Sequence, residues 1–208
     1  PTLEAFTVQV ASLGLEELVA APQQSNIDSV GALLSSLLDD TSFSPDAIVS
    51  DSYKSDSIKI GSLVRDTLKT LTTALQNGAD TLEDDLTGTG RKVAMLVTDR
   101  FDIKVSALDA LILDTTSFSD AITNDGTEAA QVYIPPGALG SSTRRRLATG
   151  TSNVETAMWV SNVDLHGTGS TEERALAGPV VHFEVSIDGV PQESLDEPII
   201  VAVPIANE

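Results

Sequence analysis

The sequence predicts an α+β protein in which the helices come first and the strands follow. Apolar residues recur at three-to-four spacing before about residue 80, and they alternate with polar residues after about residue 100. Runs of helices followed by runs of strands are typical of α+β proteins or of chains with two subdomains. We therefore predict a helical subdomain at residues 1–95 and a β subdomain at residues 96–208.

Two amphipathic helices account for much of the first half. Apolar residues lie on one helical face over residues 27–38, and again over residues 60–75. Asn77 and Gly78 end the second helix, because both residue types tolerate the left-handed conformation at a helix C-terminus. Residues 3–13 fit either a helix or a strand, so that alternative stays open.

Alternating side chains predict strands in the second half, and the first of them is typical of a half-buried strand. These strands lie at residues 101–106, 132–134, 154–160 and 181–187. Pro135 and Pro136 end the second strand, since proline has no amide proton to donate to a neighbouring strand. Asp188 and Gly189 predict a hairpin turn after the fourth. Residues 199–203 are nearly all apolar, which is typical of a strand covered on both faces.

The composition excludes several classes of function. Hydrophobic residues make up 41% of the 208, which is enough to form a buried core. Twelve basic side chains against 31 acidic ones give a net charge of −19. Such a surface repels phosphate, so we expect no nucleic-acid partner. The absence of cysteine excludes disulfides and thiolate zinc sites. No apolar run reaches the length of a membrane span, so we expect no direct membrane insertion by this segment.

One acidic cluster is a candidate calcium site, because calcium takes carboxylate oxygens as ligands. Its residues are Asp80, Glu83, Asp84 and Asp85. The cluster lacks the alternating acidic positions and the distal glutamate of an EF-hand loop. A solvated acidic loop is the alternative interpretation. We expect no other metal or cofactor site.

His182 and Trp159 each have a simple structural interpretation. His182 lies beside Glu184 on the polar face of its predicted strand, which favours an exposed surface histidine. Trp159 lies on the opposite face of its strand from Met158 and Val160, and we expect a core or sheet-edge residue there.

Three short motifs follow one another in the second half. They are Ile134-Pro135-Pro136-Gly137-Ala138-Leu139, Gly178-Pro179-Val180-Val181 and Leu195-Asp196-Glu197-Pro198-Ile199-Ile200. Their order and spacing resemble the β-subdomain of a GAIN domain, the juxtamembrane module of adhesion-type receptors and polycystin-like proteins. Residues 97–109 look like the strand that opens that subdomain, so the resemblance covers residues 97–204. The motif residues that carry it are Ile134, Pro135, Pro136, Leu139, Leu195, Glu197 and Pro198.

The resemblance implies that the β subdomain is an antiparallel β-sandwich. It implies an extracellular, cell-surface location within a larger membrane-anchored protein, with other extracellular proteins or modules of the same polypeptide as partners. In that family a self-cleaving segment follows the strand after Leu-x-Glu-Pro. None of the matched residues belongs to that segment, so no catalytic residue is carried over. We expect a non-enzymatic interaction or scaffold domain. The alternative is a structural subunit of an extracellular assembly, such as a cell-wall or surface-appendage glycoprotein.

Overall fold

The computed structural model of the chain describes residues 3–40, 51–78, 83–84, 92–108, 117–124, 127–138, 154–163, 179–187, 189–192 and 195–204. Within these residues the helices come first: α1 (Leu3–Ala11), α2 (Leu15–Ala20), α3 (Gln24–Asp40) and α4 (Asp51–Asn77). The strands follow: β1 (Glu83–Asp84), β2 (Lys92–Val97), β3 (Phe101–Leu108), β4 (Phe118–Asn124), β5 (Thr127–Ile134), β6 (Val154–Ser161), β7 (Val180–Ile187), β8 (Val190–Pro191) and β9 (Ile200–Ala202). The predicted α+β order is confirmed.

The two predicted amphipathic helices are present, and the structure shows two further helices before them. α3 and α4 confirm the two amphipathic helices, and both are longer than predicted. α4 ends at the predicted place, where the Gly78 amide donates to the Ala74 carbonyl at 3.0 Å. The open alternative near the start is resolved as α1, whose Phe6 and Val10 are buried. Gly14, with a φ of 65°, separates α1 from the short α2, which the sequence did not predict.

The strands form two antiparallel sheets. Sheet A has the strand order β1-β2-β3-β6-β7-β8, and sheet B has the order β4-β5-β9. In sheet A, β6 pairs with β3 on one side and with β7 on the other along its whole length. The predicted hairpin after β7 is present: Ile187 pairs with Val190, and Gly189 has a φ of 74°.

Sheet A lies between the helices and sheet B. Its helix-facing side contributes Phe101, Ile103 and Val105 from β3 and Ala157 and Trp159 from β6 to the first core cluster. The helices contribute, among others, Phe6, Val10, Ile27, Leu34, Val64, Leu68 and Leu71. One continuous core therefore joins the helices to sheet A, and the predicted division at residue 95 stays a prediction.

The other side of sheet A packs on sheet B through a second core cluster. Sheet A contributes Val154, Met158, Val160, Val185 and Ile187, and sheet B contributes Phe118, Ile122, Ala130, Val132 and Ile134. Because successive residues of a strand point to opposite faces, neighbours on β6 belong to different clusters. Met158 and Trp159 confirm the alternation predicted for that strand.

α3 approaches sheet A closely at Gly31. A β carbon on Gly31 would lie 2.8 Å from both Cδ atoms of Leu96 on β2. Leu96 is buried in the first core cluster, so its side chain has little room to move away. The small residue at position 31 therefore sets how closely α3 packs on β2.

A buried polar contact also joins the two sheets. Lys104 Nζ on β3 lies 2.6 Å from Asp120 Oδ1 on β4, and the two side chains are 15% and 5% exposed. Lys104 also donates to the Ala121 carbonyl at 2.9 Å, and Ser106 Oγ donates to Asp120 Oδ2 at 3.1 Å. The prediction that β3 is half-buried is wrong. Its polar face is covered by β4, a strand that the sequence did not predict.

Candidate interaction surface

The first of the three short motifs, which begins at Ile134, forms a tight turn at the end of β5. Ile134 is buried, and the Ala138 amide donates to the Pro135 carbonyl at 3.2 Å. Pro136 precedes Gly137, whose φ is 93°. Proline followed by a residue with positive φ is the pattern of a type II turn, so these residue types suit their positions.

The structure brings this turn against the segment that leads into β9. The Asp196 amide donates to the Ala138 carbonyl at 2.8 Å, and Ala138 is buried in the second core cluster. Leu195 is half-buried beside this bond, while Glu197 and Pro198 are exposed. Two motifs that are far apart in the sequence therefore form one corner of sheet B. That corner places β9 against β5.

β9 is one of the two edge strands of sheet B within the described residues, since it pairs only with β5 there. Ile200 lies opposite Tyr133 on the outer face of the sheet, and these side chains are 61% and 39% exposed. Val201 and Val203 are 40% and 38% exposed. The prediction that residues 199–203 form a strand covered on both faces is wrong, because Ile200 on the outer face and Val201 on the inner face are both exposed. We call Tyr133, Ile200, Val201 and Val203 the β9 surface.

The inner side of β9 is less covered than the inner side of β4. Val201 lies opposite the buried Val132, so its side chain points between the two sheets and yet stays exposed. On β7, Val181 and Phe183 pack against the second core cluster but are only half-buried. Phe118, at the β4 side of the same cluster, is 7% exposed. The apolar residues between the sheets are thus well buried near β4 and more exposed near β9.

This arrangement can bind an extended segment or an apolar protein surface. An edge strand presents backbone donors and acceptors that an added strand can pair with. Exposed apolar side chains lie on both faces of this edge strand, with Ile200 on the outer face and Val201 on the inner one, and a partner that covers the edge can bury them. Pro198 and Pro204 lie on either side of β9 and limit the length that can pair. A partner could therefore bind β9 through backbone hydrogen bonds and through burial of its exposed apolar side chains.

The structure describes only two of the four candidate calcium ligands, and those only through their backbone. Asp80 and Asp85 lie outside the described residues, and Glu83 and Asp84 are described only as the backbone of β1, paired with β2. Among the described side chains, no group of three or more histidine, aspartate or glutamate residues could hold a metal ion. Calcium binding stays a prediction. Leu139, from the first motif, also lies outside the described residues.

His182 differs from its predicted environment. It is half-buried on the helix-facing side of sheet A and stacks on Trp159, with ring centroids 5.1 Å apart. The prediction of an exposed surface histidine is therefore wrong, because the face of β7 that carries it lies next to the helices. Trp159 is buried, as predicted for a core residue. The sequence carried no local signal for the stack, since the two residues are 23 positions apart and meet only through strand register.

Comparison with known proteins gives a likeness of fold. No protein-family model matches the chain, and no curated protein does. Among solved structures, the full extracellular region of zebrafish Gpr126/Adgrg6 aligns with 98% of this chain at a TM-score of 0.53 and 16% sequence identity. This chain spans 25% of that structure. The similarity therefore concerns the fold, which in the matched protein is part of a much larger extracellular region.

None of the described helices combines the length and the apolar composition needed to cross a bilayer.

Proposed function

We propose that this chain is a GAIN-like, non-enzymatic interaction domain of a larger, membrane-anchored cell-surface protein. The observation that carries the proposal is the fold match, which extends over 98% of the chain, to an extracellular region four times as long. The corner formed by Ala138 and Asp196 supports it independently, because the two motifs that resemble a GAIN domain make a direct hydrogen bond. No residue of the family's self-cleaving segment is among the matched positions.

The same proposal identifies the two sheets as a β-sandwich. Sheet A and sheet B share the second core cluster, as the facing layers of a sandwich do. The contact between Lys104 and Asp120 adds a polar link between the layers. The helices cover the outer side of sheet A, so the sandwich would be covered on one side and exposed on the other.

The β9 surface is the part of this domain that we propose contacts an adjoining module of the same polypeptide. Its exposed apolar side chains cost solvation free energy in an isolated domain, at about 25 cal/mol per Å² of apolar area. The matched extracellular region is long enough to place further modules beside a domain of this size. The net charge of −19 disfavours a second copy of the chain as the occupant, because like charges repel.

Hydrogen exchange tests this contact. We expect the β9 amides to exchange more slowly in the full-length protein than in the 208-residue chain alone. Ile200→Asp in the full-length protein should restore fast exchange. Val190→Asp is the matched control, since Val190 and Ile200 are both 61% exposed and both lie on short edge strands. Equal β9 exchange in the two proteins would refute the contact. Protection that instead grows with the concentration of the isolated chain would support the structural-subunit alternative.

The cell-surface location needs a separate test. The full-length protein with an epitope tag inserted in this domain should be stained on intact cells and removed by an impermeant protease. Staining that appears only after permeabilisation would refute an extracellular location. This result is independent of β9, so the location and the contact can fail separately.

A further inference from the structure

Trp159 and His182 form an aromatic pair at the boundary between sheet A and the helices. They are directly opposite each other in the register of β6 and β7. Their rings are stacked, with centroids 5.1 Å apart and an angle of 15° between the planes. Trp159 belongs to the first core cluster and is 2% exposed. One face of the imidazole is thus held against the core, while the side chain of His182 remains 32% exposed.

Two charged groups act on the His182 ring. Glu184 lies on the same strand, with Oε2 3.8 Å from His182 Nε2. Lys69 acts on the ring from α4, the helix that packs on β2, β3 and β6. From β6 the ring meets the uncharged indole of Trp159. The histidine therefore lies where a helix, a core aromatic and a carboxylate come together.

The surroundings favour the neutral imidazole. Burial lowers the pKa of His182 below its ordinary value of 6.5, and the charge of Lys69 also lowers it, while the negative charge of Glu184 acts in the opposite direction. A protonated ring would have to be solvated at a half-buried position and would face a second cation on α4. Movement of the ring away from Trp159 into solvent would relieve both costs.

We propose that the Trp159–His182 stack is a pH-sensitive contact at the boundary between sheet A and the helices, which is kept when the imidazole is neutral and loosened when it is protonated. The contact lies on the opposite side of sheet A from the sheet B contact and does not depend on the β9 surface. The stack would give the domain a response to acidification, in addition to the apolar and backbone contacts proposed at the β9 surface.

The direction of the effect follows from the order of the two pKa values. The folded protein binds fewer protons at His182 than the unfolded chain does, because the pKa of His182 is lower in the folded state. The free energy of unfolding therefore has its full value above about pH 6.5 and falls as the pH drops toward the folded pKa. Below the folded pKa the loss is complete and stays constant.

The protein offers a direct spectroscopic test, because Trp159 is its only tryptophan. Contact with a protonated imidazole quenches indole fluorescence more strongly than contact with a neutral one. We expect the folded protein to lose Trp159 fluorescence in a titration whose midpoint lies below pH 6.5. His182→Phe keeps an aromatic ring without a proton to bind and should abolish the transition. His166→Asn is the control for the other histidine and should leave it unchanged.

Urea unfolding at pH 7.5 and pH 5.0 tests the loosening itself. Acidification should raise the unfolding equilibrium constant more for the native chain than for His182→Phe, and the extra factor cannot exceed about 30-fold for one histidine of ordinary unfolded pKa. His182→Asn repeats the test if the larger ring disturbs folding. A fluorescence transition that persists in both variants would overturn the proposal. An equal effect of acidification on the native chain and the variants would also overturn it.

Discussion

The contact between Lys104 and Asp120 makes a strong quantitative prediction about how the two sheets are held together. Asp120→Ala removes the carboxylate and leaves Lys104, whose side chain is 15% exposed, without this ionic partner. It also removes the acceptor of the Ser106 hydroxyl and of the Ala121 amide, which lie 3.1 Å and 2.8 Å from the carboxylate oxygens. The Lys104 ammonium, the Ser106 hydroxyl and the Ala121 amide would therefore all lose the Asp120 carboxylate as an acceptor.

The expected cost follows from these contacts. Removing one partner of a buried ion pair destabilises a protein by roughly 3 to 5 kcal/mol, because the remaining charge stays desolvated. In a protein of 150 to 250 residues each kcal/mol lowers Tm by roughly 2 to 4 °C, so we expect a drop of roughly 6 to 20 °C. Urea denaturation followed by circular dichroism measures the free energy, and Asp99→Ala, at an exposed position, is the control.

A double-mutant cycle separates the ion pair from the other hydrogen bonds. Asp120→Asn keeps an acceptor oxygen, and Lys104→Met keeps most of the side-chain volume. Each single change leaves one buried charge, while the double change leaves none. The two costs should therefore be non-additive, by about 0.5 to 3 kcal/mol. If Asp120→Ala costs no more than Asp99→Ala, the contact does not hold the sheets together and the reasoning is refuted.

Two further predictions concern close packing and an unmade hydrogen bond. Gly31→Val should lower the free energy of unfolding by about 1 to 3 kcal/mol, since its β carbon would meet the Leu96 side chain at 2.8 Å. Adding Leu96→Ala should make the combined cost smaller than the sum, as measured by urea denaturation, and strict additivity would contradict the clash. Ser186→Ala should be neutral or stabilising by up to about 1 kcal/mol, because Ser186 Oγ is buried without a hydrogen-bond partner in the described part of the chain. A thermal melt measures this, and a clear loss of stability would show that the hydroxyl has a partner in solution.

The sequence predicted four strands from their alternating side chains and one from an apolar run, and it missed β2 as well as β4, which carries a charge in the core. β4 places Phe118, Asp120 and Ile122 between the sheets. An aspartate in the inward series breaks the apolar pattern, so no strand was predicted there. Its partner, Lys104, lies on β3 and was assigned to a solvent-facing side for the same reason. The errors at β4 and at Lys104 have one cause: a buried ion pair has no signature in the local sequence.

The candidate surface was predicted in part, through its motifs. The prolines and Gly137 of the first motif require a turn wherever they occur, so the end of β5 could be predicted from local chemistry. The exposure of Ile200 could not, because an apolar run is the same in a central strand and in an edge strand. Only the order β4-β5-β9 distinguishes the two, and that order depends on pairing between segments about 70 residues apart.

The strand order also connects the buried ion pair to the exposed surface. β9 pairs with β5, β5 pairs with β4, and β4 carries Asp120. Weakening the Lys104 contact therefore loosens the sheet that presents Ile200, even though neither charged residue belongs to the β9 surface. His182 lies on the opposite side of sheet A, next to the helices. We therefore expect Asp120→Asn to speed hydrogen exchange mainly in sheet B, and protonation of His182 to speed it mainly in β7 of sheet A. A partner that detaches after Ile200→Asp but stays bound after acidification would then be recognising sheet B alone.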